Sequence, residues 1–314
     1  MMVYLDFEKP VAALEARILE LQDAARDSDV DASTEISKLR DKADKQLKDT
    51  YANLTAWQKT QVARHPERPH FKHYIEAMFE DFMPLAGDRA FGDDQAIMGG
   101  LARLNGRRVM VIGHEKGDDT QSRLRHNFGM GKPEGYRKAI RLMELADRFG
   151  IPVVSLVDTS GAFPGIQAEE RGQAEAIARS TEQCLALGVP MIACIVGEGG
   201  SGGAVALAAA DRILMFQYAV YSVISPEGCA SILWRTGDKA ADAAQAMKMT
   251  ADDLKALRII DRIVAEPIGG AHRDHGMAAA TLATAIDEEL DALSGFSSKE
   301  LLQQRRAKFL SMGA

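Results

Sequence analysis

Between Met191 and Ala210 an apolar run enters a segment with glycine at four of five positions, 199, 200, 202 and 203, and a second apolar run, Val205 to Ala210, follows. A strand, a glycine loop and a helix start in succession give this pattern. Glycines leave backbone N–H groups uncovered by side chains, and a helix N-terminus adds unpaired donors and the positive end of the macrodipole. The segment Val196-Gly197-Glu198-Gly199-Gly200-Ser201-Gly202-Gly203-Ala204 therefore suits an anion, or an oxyanion that forms during a reaction.

Other readings of the same letters compete. Gly197-x-Gly199-x-x-Gly202 matches a dinucleotide fingerprint, which asks for an acidic residue about 20 positions on. Phe216-Gln217-Tyr218-Ala219-Val220 supplies none. Gly199-x-Ser201-x-Gly203 matches a nucleophile elbow, with His272 or His275 available to complete a triad. A plain packing turn, letting a helix approach a strand, is the third.

With 314 residues and 46% apolar content the chain can bury a sizeable core, as one large or two modest domains. A net charge of -7 argues against nucleic acid as a partner, so a phosphorylated ligand must find a local basic patch. No apolar run approaches a membrane span, and Met1-Met2-Val3-Tyr4-Leu5-Asp6 lacks a signal-peptide layout, so the expected compartment is the cytoplasm. Cys184, Cys194 and Cys229 have neither zinc-site nor disulfide spacing and read as buried small apolar residues.

In chain order, residues 7 to 26 read as a short amphipathic helix ending in the turn Asp27-Ser28-Asp29. A second helix over 33 to 64 carries the stripe Ile36, Leu39, Ala43, Leu47, Tyr51 and Leu54 until His65-Pro66 stops it. It forms a hairpin with the first, packs on a partner chain, or folds against its own domain. After the Asn105-Gly106 turn, Arg107 to Gly113 reads as a buried strand. Helix 133 to 149, strand 151 to 157, helix 167 to 187, strand 189 to 196 and helix 202 to 210 then alternate as in a parallel sheet. Residues 213 to 224 read as two short strands, Pro226 opens a helix through Trp234, and the tail from 239 to 312 reads as mostly helical. The loop Asp158 to Gly165 and the glycine loop leave adjacent strand ends, where open parallel sheets bind ligands. Two such loops can hold one oxygen between their amides.

Five blocks carry a family likeness: Arg89-Ala90-Phe91-Gly92-Asp93-Asp94, Asn127-Phe128-Gly129-Met130, Val157 to Gly165, Gly197 to Ala204, and Ser222-Val223-Ile224-Ser225-Pro226-Glu227-Gly228-Cys229. Together they resemble the carboxyltransferase alpha subunits of bacterial acetyl-CoA carboxylase. Ser160 stands where that family leads one to expect proline, and residues 1 to 65 resemble it only in helical character.

The resemblance implies an α/β fold of the crotonase/ClpP-like kind, a superhelix of repeated strand-strand-helix units. An N-terminal helical region over 1 to 65 and a carboxyltransferase domain over 66 to 314 with C-terminal helices complete it. It implies transfer of a carboxyl group from biotin, carried covalently by a separate biotin carboxyl carrier protein, to acetyl-CoA, giving malonyl-CoA. By position, Gly202 and Gly203, with Ala204 behind them, match the oxyanion hole, and Gly161 and Ala162 line its other side. Phe163, Arg123, Arg125 and Lys132 are the expected cofactor-binding residues. Implied partners are a carboxyltransferase beta subunit, in an alpha2beta2 heterotetramer, and biotin carboxylase. Neither a membrane nor nucleic acid is an expected partner.

Several residues invite other roles. Ala246-Met247-Lys248-Met249 spells the tetrapeptide around a biotinylated lysine, yet Lys239 to Gln245 is a strong helix former and Thr250 looks like the next N-cap. Between 123 and 141, Arg123, Arg125, Lys132, Arg137, Lys138 and Arg141 face one acid, Glu134, which suits CoA phosphates, an acidic carrier face, or merely a solvated surface. His70-x-x-His73 and His272-x-x-His275 lack a convergent third ligand and read as surface residues, so no metal is expected. A serine hydrolase on Ser201, a self-contained acyl-CoA enzyme using Glu198 or Glu227 as acid or base, and a non-catalytic scaffold are the rival functions.

Overall fold

The computed structural model describes residues 3–27 and 32–313. One sheet organises it. Its strands are β1 (Glu80–Pro84), β2 (Ile97–Leu104), β3 (Arg107–His114), β4 (Val153–Thr159), β5 (Met191–Gly200), β6 (Arg212–Phe216), β7 (Val220–Ser222) and β8 (Arg262–Val264). Their order is β1-β2-β3-β4-β5-β6-β8, with β7 pairing the far end of β5. The pairs from β3 onward are parallel, whereas β1, β2 and β3 run antiparallel. The β2–β3 hairpin turns on Asn105 and Gly106, both at positive φ (49° and 78°), as a two-residue turn between right-twisted strands requires.

Every residue of β4 and β5 is buried, because helices cover both faces of the inner sheet. Helix Pro133–Arg148 puts Tyr136, Ala139, Leu142, Met143 and Ala146 into the core, with Pro133 in its first turn, where no N–H is missed. The tail adds helices His275–Leu293 and Ser298–Leu310. Arg305 of the last one is buried, but its charge is paired with Asp211 (2.6 Å) and its remaining donors reach the carbonyls of Cys184, Leu187 and Val189.

Three boundaries differ from those expected. The helix over 33 to 64 is two, Ser33–Ala52 and Ala56–Ala63. Thr55 starts the second through a capping box, accepting from the Gln58 amide at 3.2 Å while Gln58 returns a bond at 2.8 Å. The helix over 167 to 187 is also two, Ile166–Glu170 and Gln173–Ala186, parted by Gly172 at φ 81°. Strand β5 runs on through Gly200, so the glycine segment is strand end and helix start without a loop between. Helix Lys9–Asp27 matches the first expected helix, but the turn assigned beyond it lies outside the described residues at 28 and 29.

The N-terminal helices fold against their own chain. Val11, Leu47, Tyr51, Val62 and Tyr218 form one cluster, and the Tyr51 hydroxyl donates to Glu8 at 3.0 Å. Arg68 pins the following segment to the back of β5, with a twofold ion pair to Glu266 at 2.8 Å and an Nε bond to the Val196 carbonyl.

Histidines expected at the surface are partly inside. His70 and His272 are buried. His272 stacks on His65 with centroids 3.8 Å apart, and neither of its ring nitrogens has a hydrogen-bond partner. Burial, reinforced by His65 and nearby arginines, pushes its pKa down to about 2. The unfolded chain takes up that proton near pH 6.5 and the folded chain does not, so stability is full above this pH and falls on acidification. Thermal denaturation between pH 6.5 and 4.5 should show a steeper loss for the native chain than for His272→Gln. The difference should approach about 1.4 kcal/mol per pH unit.

Candidate active site

Strands β4 and β5 end side by side, and the chain beyond them comes into backbone contact. A Cβ on Gly200 would lie 2.3 Å from the Ser160 carbonyl oxygen, and one on Gly203 would lie 2.8 Å from the Ala162 nitrogen. No side chain fits at either place. Between them Ser201 takes φ 54°, a left-handed turn that swings the chain from strand into helix Ser201–Ala208. Gly202 and Gly203 are then the second and third residues of that helix, whose first amides have no intrahelical acceptor.

The opposing loop donates through one residue. The Gly161 amide is taken by Thr159 Oγ1 at 3.1 Å, and the Phe163 amide by the Gly131 carbonyl at 3.0 Å. Ala162, between them, keeps its N–H free among the described residues. Gly161, expected to line the site, takes φ 150° with its own amide already engaged. Ala204 is buried behind the pair, and Phe163 lies under the Lys132 ammonium at 5.3 Å. The Gly203 backbone thus abuts the peptide that joins Gly161 to Ala162, with the Ala162 nitrogen at that junction.

A carboxylate not singled out from the sequence sets this geometry. At Asp158 the β4–β5 register slips, from Val157↔Ile195 to Thr159↔Gly199, and the extra β5 residues bulge. The buried Asp158 carboxylate fills the bulge. It accepts from the Glu198 amide (2.9 Å) and Lys116 Nζ (2.6 Å), and His70 Nδ1 stands 3.4 Å away. Burial would raise its pKa, but the Lys116 ammonium and His70 hold it well below the usual carboxylate range. Gly197 is glycine because a Cβ there would meet Asp158 Oδ1 at 2.4 Å.

Arg64 forms a second clamp. It binds Glu198 at 2.6 Å and Glu227, in the first turn of helix Pro226–Trp234, at 2.6 Å. Both glutamates considered as acid or base are thus engaged by one guanidinium. Burial alone would raise the Glu227 pKa, but the Arg64 hydrogen bond lowers it. The elbow reading loses its base as well. His272 lies against His65, and His275 Nε2 contacts the Glu67 carbonyl at 2.8 Å.

The basic stretch splits in two. Arg137, Lys138 and Arg141 tie helix Pro133–Arg148 to the 85–94 loop: Lys138 reaches Asp93 and the Asp94 carbonyl, and Arg141 the Gly87 carbonyl. Arg123, Arg125 and Lys132 have no carboxylate partner among the described residues.

Glu8, His65 and His272 bring ligand-type atoms within 4.8 Å of one another. They do not suit an ion. His65 Nδ1 accepts from the Glu67 amide, its Nε2 contacts the Val3 carbonyl, and the two rings are stacked within 19° of parallel, so their in-plane lone pairs do not converge on a nearby point. Lys248 follows helix Ala240–Ala246 at φ 53°, and Thr250 caps the next helix, so it sits at a helix end and not at a hairpin tip.

The fold defines a class. Helices and sheet superpose on transcarboxylase 12S with a TM-score of 0.55 at 22% identity, over 69% of this chain and 42% of that one. The beta subunit of geranyl-CoA carboxylase from P. aeruginosa gives 0.56 at 17% identity, over 83% of this chain and 47% of that one. The chain spans less than half of either solved chain, and it has the crotonase-like carboxyltransferase fold.

Sequence narrows this further. The family described as acetyl co-enzyme A carboxylase carboxyltransferase-like matches residues 4–313. The acetyl-coenzyme A carboxylase carboxyl transferase subunit alpha of Rhizorhabdus wittichii is 72% identical over 313 residues, 100% of both chains. That of Sphingopyxis alaskensis is 71% identical over 100% of this chain and 99% of its own. The chain belongs to this family of carboxyltransferase subunits, which act on CoA thioesters. No helix among the described residues is long and apolar enough to cross a membrane.

Asp158 tests the geometry. Asp158→Asn removes a buried carboxylate that is the counter-charge of the half-buried Lys116 and should cost about 3 kcal/mol in denaturant unfolding. Lys116→Met with Asp158→Asn should recover part of that loss, since no lone charge remains.

Proposed function

We propose that the chain is the alpha half of a carboxyltransferase that moves a carboxyl group from N1 of biotin, borne by a carrier protein, to the methyl carbon of acetyl-CoA. The product is malonyl-CoA, the first committed intermediate of fatty acid synthesis. The observation that carries this reading is the backbone contact between Gly203, at a helix start, and the Gly161–Ala162 peptide, whose Ala162 amide has no acceptor among the described residues. Loss of CO2 from carboxybiotin leaves negative charge on the ureido oxygen. Two fixed backbone donors stabilise that charge without a proton of their own, and each is worth a factor on the order of 10² to 10³.

Gly203 and Ala162 hold the ureido oxygen, Gly202 adds a third amide, and Gly161 and Ala204 supply the turn and the packing behind them. The ureido nitrogen anion left by decarboxylation is the base for the acetyl methyl group. This fits a site whose glutamates are both bound to Arg64. The enolate so formed attacks CO2, and the proton ends on biotin N1. Phe163 with Lys132, and Arg125 beyond, offer apolar surface and positive charge to the CoA phosphates or to an acidic carrier face. Residues 1 to 65 serve as a helical brace on the domain over 66 to 314.

A second oxyanion forms on the thioester oxygen of acetyl-CoA and needs a second donor set. Among the described residues one such strand-end pair is present, so the other comes from a beta subunit. The counting leads to a heterotetramer of two alpha and two beta chains, served by a biotin carboxyl carrier protein and a biotin carboxylase.

Malonyl-CoA decarboxylation with free biotin as acceptor separates the possibilities. This chain alone should be inactive and the mixture with the beta subunit active. Equal rates for chain and mixture would defeat the split site. Gly203→Val should fold, assemble and lose at least about 100-fold in transfer, since its side chain would enter the Ala162 backbone. Ser201→Ala should stay within about tenfold, as a hydroxyl without a base is no nucleophile. An avidin blot of the chain expressed with active biotin ligase should be blank.

A further inference from the structure

Val196 and Gly197 lie in a gap of the sheet. Strand β5 pairs with β4 and with β6 as far as Ile195, then resumes with β7 at Glu198 and with β4 at Gly199. The two residues between have no partner residue in any neighbouring strand, although β5 is buried along its whole length. Buried main-chain groups that lose a ladder need other partners. Side chains supply them here. The Asp158 carboxylate accepts from the Glu198 amide at 2.9 Å, and Arg68 Nε donates to the Val196 carbonyl at 2.8 Å.

A guanidinium is a demanding way to satisfy one carbonyl. The Arg68 side chain is 1% exposed and that of Glu266 not at all. Desolvating two charges costs about as much as their attraction returns, so such a pair is weak ground for stability. What it provides is direction. Glu266 Oε1 accepts from Arg68 Nη2 (2.8 Å) and the Tyr218 amide (2.9 Å), and Oε2 from Nη1 (2.8 Å) and the Ala271 amide (2.7 Å). Two backbone amides thus fix the carboxylate, and the carboxylate fixes the planar fork. The remaining donor, Nε, is then held on Val196.

Four residues separate Val196 from helix Ser201–Ala208, and three of them, Gly197, Gly199 and Gly200, have no side chain to steer the segment. Its course depends on bonds to its main chain. The destination allows little slack, because a Cβ on Gly203 would already lie 2.8 Å from the Ala162 nitrogen. We propose that Arg68 is a positioning residue for carboxyl transfer: through the Val196 carbonyl it sets the line on which β5 leaves the gap, and so where Gly203 stands against the Gly161–Ala162 peptide. The inference rests on the transfer proposed above.

The test uses the complex of this chain with its beta subunit, malonyl-CoA as donor and free biotin as acceptor, with thermal unfolding of the same samples. Glu266→Gln leaves the guanidinium on Val196 but removes its counter-charge. Adding Arg68→Met to Glu266→Gln removes the lone charge and the Val196 bond together. That second step should raise the unfolding temperature, since no unpaired buried charge remains, and should lower kcat about tenfold or more with KM for malonyl-CoA unchanged. A residue that served stability alone would move both quantities the same way. Recovery of kcat along with the unfolding temperature would therefore overturn the proposal. So would a double variant that folds, assembles and keeps kcat within about twofold of the native complex, a comparison that decides the matter even where Glu266→Gln alone does not fold. Where the double variant does not fold either, Arg68→Lys, which keeps a charge opposite Glu266 without the Nε–H, is held to the same loss of kcat. A native complex without turnover would remove the transfer reading, and the proposal with it, whatever the variants do.

Discussion

Two backbones touch where side chains would keep them apart. Gly200 lies against the Ser160 carbonyl and Gly203 against the peptide joining Gly161 to Ala162, and a methyl group at either would sit within 2.8 Å of main-chain atoms. Glycine here is required by proximity and not by dihedral angle, since the left-handed turn falls on Ser201. With the loops pressed together, the free amide of the first loop and the helix start are brought to one junction. A side-chain donor would have to be held in one rotamer to do the same, whereas these amides are fixed by the sheet itself.

That contact is maintained from behind. The β4–β5 bulge turns the glycine segment toward the 160–162 loop, and the Asp158 carboxylate occupies the bulge with Lys116 and the Glu198 amide as partners. Arg64 and Arg68 bring the N-terminal segment into the arrangement, one through Glu198 and the other through the Val196 carbonyl. The helices before residue 65 thus bear on the site through two guanidinium groups, and their packing on Tyr218 fixes where those groups stand. Charge around the donors falls in pairs, Arg64 with Glu198 and Glu227 and Lys116 with Asp158.

Much of this was legible in the letters. The runs 151–157 and 189–196 read as buried parallel strands because both sheet faces are covered, and Asn105-Gly106 read as a turn, though the strand before it, β2, was not expected. Gly203 and Ala162, named through the family likeness, are brought into backbone contact by the fold. The break at 53–55 was written in Thr55-x-x-Gln58 but hidden by a stripe that continues through it. Strand β8 has three residues, too few for a periodicity. Asp158 looked like one residue of a motif, because its partners Lys116, His70 and Glu198 are 42, 88 and 40 positions away and only the fold brings them together. The Gly161 amide is taken up locally, by the Thr159 hydroxyl two residues back, which no spacing rule reveals.

The central claim is that Ala162 and Gly203 hold the ureido oxygen of biotin. Infrared difference spectroscopy with biotin labelled with carbon-13 at the ureido carbonyl reads that oxygen directly. Bound to the complex, the carbonyl stretch should move to lower frequency than in water, and the shift should be absent with Gly203→Val. A stretch unchanged on binding, or shifted equally in the variant, would contradict the account.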